Sequence, residues 1–325
     1  MPVYIHDIVS TVPKVSYRQD FIRDKMKDYL GHDRRTQAII HRIYSQSGIE
    51  KRHTVVDDFE DKPAGPLFFN GSSNLQQPGT AQRNNLYRQH AIPLFQQTAE
   101  KLLQRNKAVR TEDITHVITV SCTGFFAPGP EYEIVRHLGL KPSTQRYHLG
   151  FMGCFAAFPA IKMAHSFCEN DPDAVVMVVC TELCSLHLQP KTEVDNLISA
   201  SVFADGSAGA IISSKKPEKG GFEIIDFAST LTDEGEGDMA WIIGDTGFDM
   251  TLSTYVPDII NNNLMPVIQP MLNEMGYQSS EIDYWALHPG GRAIVDKIEQ
   301  SLELREEQVA ASRAVLAEFG NMSSA

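Results

Sequence analysis

Three residues far apart in the chain have side chains suited to a shared chemistry: Cys154, His288 and Asn321. Cys154 lies in GFMGCFAAFPAIKMAHS, which reads as a tight turn, a cysteine and then an alanine-rich helix. Gly150 and Gly153 allow close backbone turning just before the thiol. A thiol at a helix N-terminus faces the positive end of the backbone dipoles, and a nearby histidine adds to that effect. The pattern therefore predicts a lowered thiol pKa and a nucleophilic sulfur. His288 ends the apolar stretch IDYWAL and is followed by Pro289-Gly290-Gly291, a rigid turn that lets a substrate pass close. Asn321 follows Gly320 and opens NMSSA, a helix-start pattern with a capping-type residue. These types suit a two-stage task. Imidazole assists thiol activation; then an imidazole N–H and an amide Nδ2–H donate to an enolate oxygen, such as a decarboxylating malonyl thioester generates. An ionised Asp in place of Asn would repel that charge.

The elements that position these residues repeat along the chain. In the first half a helical stretch, Ala91 to Asn106, is followed by TEDITHVITVSCTG; in the second, Ile259 to Gly276 is followed by SSEIDYWALHPGG. Both read as amphipathic helix, acidic turn and short apolar strand. Ile114 and Ile282 take equivalent places, which sets Ser121 opposite His288. Thirty-three residues then separate Ser121 from Cys154, and again His288 from Asn321. Strands alternating with helices predict an α/β fold with parallel pairing and helices on both sheet faces. Two such halves, residues 1–215 with the cysteine and 216–325 with the histidine and asparagine, predict a duplicated α/β/α/β/α layering. Strand ends then meet near the middle, where reactive groups converge. The first half continues past Cys154 through a helix and strands at AVVMVVCTE and AGAIISS, whereas four residues follow Asn321. The second half is therefore expected to lack its last helix and strands.

Composition narrows the function classes. Across 325 residues, 42% are hydrophobic and 22% charged, ordinary for a globular protein. A formal charge of −12 argues against nucleic-acid binding but leaves room for a local basic cluster around an anionic substrate. No run of 18 apolar residues predicts a membrane span, and the N-terminus lacks a signal-peptide layout, so a cytoplasmic location is expected. The five cysteines, Cys122, Cys154, Cys168, Cys180 and Cys184, contain no C-x-x-C pair, so neither a disulfide frame nor a metal site is expected. Cys168 and Cys180 read as small packing residues. Asn70 to Asn85 reads as an exposed loop or helix approach.

GFMGCFAAFPAIKMA, SVFADGSAGAIIS, ALHPGGRAIVDKIEQSLEL and RAVLAEFGNMSSA resemble successive motifs of the type III polyketide synthases, the chalcone-synthase-like enzymes of the thiolase superfamily. The likeness covers essentially the whole chain, and FFAPGPEYE is similar to bacterial members. It implies a thiolase fold, a homodimer, coenzyme A thioesters as substrates, and no metal or other cofactor. By matching motif, Cys154 takes the starter acyl group from an acyl-CoA, and His288 with Asn321 promotes decarboxylation of malonyl-CoA. The resulting enolate attacks the acyl thioester, and cyclisation to a pyrone or phenolic ring ends the sequence. Phe203 matches a gatekeeper between access tunnel and cavity; Met250 stands where a second gatekeeper is usually phenylalanine. Cys122, Thr123, Cys184, His187 and Ser323 fall on cavity positions, and Gly290 and Gly291 complete the substrate-binding set. Hydroxyl residues are common in plant enzymes at the places of Cys184 and His187, so a flavonoid product is not implied. Arg42 matches a basic residue near the coenzyme A phosphates. The family's two other lysines fall on Ile39 and Gln46, leaving Lys51 or Arg52 to compensate. Ala127-Pro128 takes the place of a loop that reaches toward the partner subunit.

Two other readings stand beside this one. A ketoacyl-synthase III-like enzyme would make a single condensation on a carrier protein. A non-catalytic remnant of the fold would accord with the short second half.

Overall fold

The computed structural model describes residues 1–71 and 75–325. Part of the Asn70–Asn85 stretch thus lies outside the described residues, and its remainder enters a helix at Thr80. The first half runs β1 (Val3–Thr11), β2 (Val15–Arg18), α1 (Gln19–Leu30), α2 (Arg34–Ser45) and β3 (Lys51–Thr54). It continues with α3 (Thr80–Arg105), β4 (His116–Ser121), α4 (Pro130–Leu138), β5 (Gln145–Gly150) and α5 (Ala157–Asn170). β6 (Val175–Leu183), α6 (Val194–Val202) and β7 (Asp205–Ser213) complete it. The second half holds β8 (Phe222–Ile224), the hairpin β9 (Met239–Gly244) and β10 (Gly247–Leu252), and helices α7 (Val256–Met275), α8 (Arg292–Ser301) and α9 (Glu306–Phe319).

A six-stranded sheet in the order β5-β4-β6-β7-β1-β8 is built on the first half, with β8 of the second half at its edge. Its middle strand β6 is buried along its whole length, as expected for a strand with helices on both faces. Because strand side chains alternate, Val175, Met177 and Val179 pack on the α3 side with Phe95, Ala99 and Leu102. Val176, Val178 and Cys180 pack on the opposite face with Ala160, Ala164 and Cys168 of α5. The four-residue spacing of those α5 side chains puts them on one stripe, and their small size brings the helix close to the sheet. Each large aliphatic residue buried here contributes about 1.5–3 kcal/mol. Cys168 and Cys180 are the packing residues expected.

Strand direction departs from the sequence expectation over half the sheet, since β6–β7, β7–β1 and β1–β8 are all antiparallel. β4 pairs in parallel with β5 and β6, but β6 and β7 are antiparallel, from Val175 opposite Ser213 to Leu183 opposite Asp205. The connection between them is only a 3-10 turn and the nine-residue α6, which returns the chain alongside β6. In the second half, the expected strand at IDYWAL makes no ladder among the described residues. Its Trp285 N–H donates to the Gln308 carbonyl (2.8 Å) and its Leu287 N–H to Ser312 Oγ (2.9 Å). An extended segment with no neighbouring strand meets its hydrogen-bonding needs on α9 instead. A third core then joins the halves: Ile294, Ile298, Val309 and Leu316 pack with Ile49, Val202 and Leu252.

Candidate active site

Cys154 occupies the turn between β5 and α5. Gly153 there takes φ 84°, a left-handed conformation that a side chain disfavours, and its N–H donates to Cys122 Sγ at 3.2 Å. The helix proper begins at Ala157, so the thiol precedes its first turn. Burial pushes the Cys154 thiol up to about 11, and the nearby Glu182 acts in the same direction. The Ser323 hydroxyl and the backbone at Cys154 itself oppose the rise without cancelling it. This corrects the sequence expectation of an acidified thiol. Removal from water and a buried carboxyl outweigh the helix terminus.

His288 stands at the end of IDYWAL as expected. The Gly290 N–H donates to its carbonyl (2.9 Å), closing the turn that leads into α8. Its Nε2 is buried without a hydrogen-bond partner among the described residues. Burial lowers its pKa to about 4, so the imidazole is neutral at pH 7. Thiol and imidazole thus both rest uncharged.

Asn321 makes a strand-type backbone contact. It pairs in a parallel bridge with Phe203: its N–H donates to the Val202 carbonyl and its own carbonyl accepts from the Ala204 N–H, both at 2.8 Å. Gly320 takes φ 74°, and a β-carbon there would stand 2.9 Å from the Val202 carbonyl oxygen. Only glycine brings the two strands this close. The Asn321 amide is oriented at both ends. Nδ2 donates to the Gly290 carbonyl (3.1 Å) and Oδ1 accepts from the Ser323 N–H (2.9 Å). Asn321 thus links Ser323, whose hydroxyl lies near Cys154, to Gly290, two residues from His288.

Sequence reasoning missed Glu182. It is fully buried and accepts from the Cys122 N–H (2.9 Å), Thr123 Oγ1 (2.9 Å), Ser121 Oγ (3.3 Å) and Ser324 Oγ (2.6 Å). Burial holds its carboxyl above the usual range. The available signal was a carboxylate closing the otherwise apolar strand VVMVVCTEL. Cys122, Thr123 and Ser323 thus cluster on the Cys154 side, around or next to this group.

Phe203, Met250, Cys184 and His187 meet elsewhere, around a cavity of roughly 110 Å³. Its remaining wall is mainly apolar and includes Met26, Phe59 and Phe68. Gly291 lies at the start of α8, beside Gly290. Arg42 is exposed on α2, with Nε donating to Gln46 Oε1 at 3.4 Å, and does not line the cavity. Arg52, named with Lys51 as a substitute for the missing lysines, lines the cavity. It is tied to Gln19 Oε1 (2.9 Å) and to the carbonyls of Ala200 (2.9 Å) and Phe203 (2.7 Å). Lys51 is paired with Glu318 at 2.8 Å.

Residues 7–216 match the family described as chalcone and stilbene synthases, N-terminal domain, and residues 223–325 match its C-terminal domain. A curated relative from Mycobacterium tuberculosis, "Alpha-pyrone synthesis polyketide synthase-like Pks18", is 34% identical over 290 residues, which are 88% of this chain and 72% of the relative. Among solved structures, PKS-I from the brown alga Ectocarpus siliculosus superposes with a TM-score of 0.92 at 30% identity, covering 99% of this chain and 86% of that one. The C-terminal type III polyketide synthase domain of Steely1 from Dictyostelium gives 0.90 at 26% identity, covering 100% and 89%. The 1,3,6,8-tetrahydroxynaphthalene synthase of Streptomyces coelicolor A3(2) gives 0.85 at 25% identity, covering 99% and 87%.

Proposed function

Because the chain belongs to the chalcone and stilbene synthase family, and so is a type III polyketide synthase of thiolase fold, we propose that Cys154, His288 and Asn321 carry its chemistry. Cys154 Sγ attacks the thioester carbonyl of an acyl-CoA starter while His288 Nε2 takes the thiol proton. The carbon–sulfur bond to coenzyme A breaks, coenzyme A departs as its thiolate, the proton stays on His288 Nε2, and the acyl group remains on Cys154. Malonyl-CoA then loses CO2. The electron pair of the broken bond becomes an enolate, whose oxygen receives hydrogen bonds from His288 Nε2–H and the second Nδ2 proton of Asn321. The enolate carbon attacks the Cys154 thioester, the new carbon–carbon bond forms, and the thiolate is released for another round. Cyclisation to a pyrone or phenolic ring ends the sequence.

The observation that supports these roles most is the Asn321 amide, fixed between the Ser323 N–H and the Gly290 carbonyl, with the buried His288 Nε2, unpartnered among the described residues, close to Gly290. A neutral thiol and a neutral imidazole suit a nucleophile activated when substrate arrives rather than held as a resting ion pair. Incubation of the intact protein with malonyl-CoA and a panel of acyl-CoA starters tests the reading. Cyclised products from more than one extension are expected, and a linear product of one condensation would favour the ketoacyl-synthase III-like alternative. Family matches across both halves speak against that alternative and against a non-catalytic remnant.

The remaining parts of the reading are also proposals. The mainly apolar cavity beside Phe203 and Met250 receives the starter's apolar portion. Arg42, exposed on α2, meets the coenzyme A phosphates, and coenzyme A thioesters serve as substrates with no metal or other cofactor. The chain works as a cytoplasmic homodimer. Met152, Phe155 and Phe158, exposed around the nucleophile's turn, give a second copy an apolar face to cover. For location, the supporting fact is that no described helix is long and apolar enough to cross a membrane.

A further inference from the structure

The last carbonyls of any helix lack donors within it, and at the end of α6 they are held from outside. Arg52 Nη1 donates to the carbonyls of Ala200 (2.9 Å) and Phe203 (2.7 Å). Gln19 Nε2 donates to that of Ser201 (2.7 Å), and the Asn321 N–H to that of Val202 (2.8 Å). The two side chains brace each other, since Arg52 Nε also donates to Gln19 Oε1 (2.9 Å). Gln19 is itself buried, and its Nε2 also reaches Ser47 Oγ (3.1 Å). The guanidinium sets positive charge against the negative end of the helix dipole. It also presents its donors in a fixed plane, which a lysine ammonium on a flexible stem does not.

The same few residues of α6 carry Asn321. The Val202 carbonyl accepts its N–H and the Ala204 N–H donates to its carbonyl, so the backbone between them is the shelf on which it rests. Arg52 grips that shelf at Phe203. Its stem runs against Gly320, where a β-carbon would stand 3.0 Å from Arg52 Cγ. The turn of Cys154 depends on another contact, the Gly153 N–H donating to Cys122 Sγ. We infer that Arg52, braced by Gln19, is a positioning residue for decarboxylation: by capping the end of α6 it fixes the backbone that aims the Asn321 amide, and it leaves the thiol's setting alone. This rests on the condensing reading above.

The test measures two partial reactions separately on the whole chain: CO2 release from malonyl-CoA, and acylation of Cys154 by a starter acyl-CoA, read by intact mass. Arg52→Met keeps an unbranched stem and removes every donor. Its kcat for decarboxylation is expected to fall about 10²-fold, the scale of a 1 Å misplacement remote from the chemistry, while loading stays within about twofold of wild type. Arg52→Lys keeps a cation and donors at the helix end and is expected to recover about fivefold of that loss. Should Arg52→Met fail to fold, Gln19→Leu takes its place. It releases the Ser201 carbonyl and Arg52 Nε and is expected to slow decarboxylation selectively as well. Equal losses in both partial reactions, or unchanged decarboxylation, overturn the inference while the wild type stays active. A raised KM for both coenzyme A thioesters at unchanged kcat also overturns it, because Arg52 would then be a phosphate ligand. A wild type that releases no CO2 from malonyl-CoA overturns the condensing reading and this inference with it.

Discussion

Asn321 shows why residue type matters more than polarity at this site. Its amide is held at both ends, by the Gly290 carbonyl and the Ser323 N–H. Asn321→Asp replaces the donor with a carboxylate that faces the Gly290 carbonyl and the forming enolate. Malonyl-CoA decarboxylation, followed by CO2 release, should fall about 10²–10³-fold, the usual effect of removing one oxyanion donor. Acyl loading on Cys154 should survive. Glu182 acts at the same scale but on stability. Glu182→Ala strands the Cys122 N–H and the hydroxyls of Thr123 and Ser324, costing about 1–3 kcal/mol. A lowered denaturation midpoint should show it, with Glu182→Gln milder. The three candidate residues stand out in the sequence because glycine-flanked turns and a repeated spacing mark them. Glu182 was not, because a carboxylate among apolar strand residues gives no hint of which donors will surround it. Nor was the direction of the thiol's pKa, since helix position is local whereas desolvation depends on what packs around it.

At the scale of elements, the bridge between Phe203 and Asn321 joins the two halves. Gly320 permits it, at positive φ and against the Val202 carbonyl. Gly320→Ala should cost about 1–3 kcal/mol from its extended, positive-φ backbone alone, and more from the collision. Thermal unfolding should register the loss, and product formation should fall further than Tm because Asn321 is displaced. Strands β4, β6 and β7 were legible because each is largely apolar and bounded by turn residues, whereas β2, β3 and β5, with the sequences VSYR, KRHT and QRYHLG, were not. The direction of β7 was not: alternation of strand and helix suggests parallel pairing, and only the short return through α6 decides otherwise. IDYWAL has a strand's composition, yet a strand exists only with a partner to pair with, and α9 takes its N–H groups instead.

Across the whole molecule, burial sets the response to acid. His6, His90, His116, His148, His187 and His288 are all held below the ordinary imidazole value, His288 at about 4 and His187 at about 3. Asp205 and Glu182 are held above the ordinary carboxyl value, Asp205 at about 6. As pH falls from 6.5 toward 4, the unfolded chain takes up histidine protons that the fold resists, while these two carboxyls take up protons preferentially in the fold. The histidines outnumber the carboxyls, so the unfolded state binds more protons and stability falls with pH through this window. Urea midpoints measured between pH 7 and pH 4 should decline; a flat or rising series would contradict the burial of these imidazoles.

Intact-mass measurement of the protein after mixing with an acyl-CoA starter, followed by peptide mapping, is the most direct test of the central claim. One acyl group should appear on Cys154 and leave as a longer product once malonyl-CoA is added, and Cys154→Ala should gain none. Acylation of another residue, or undiminished product formation by Cys154→Ala, would contradict it.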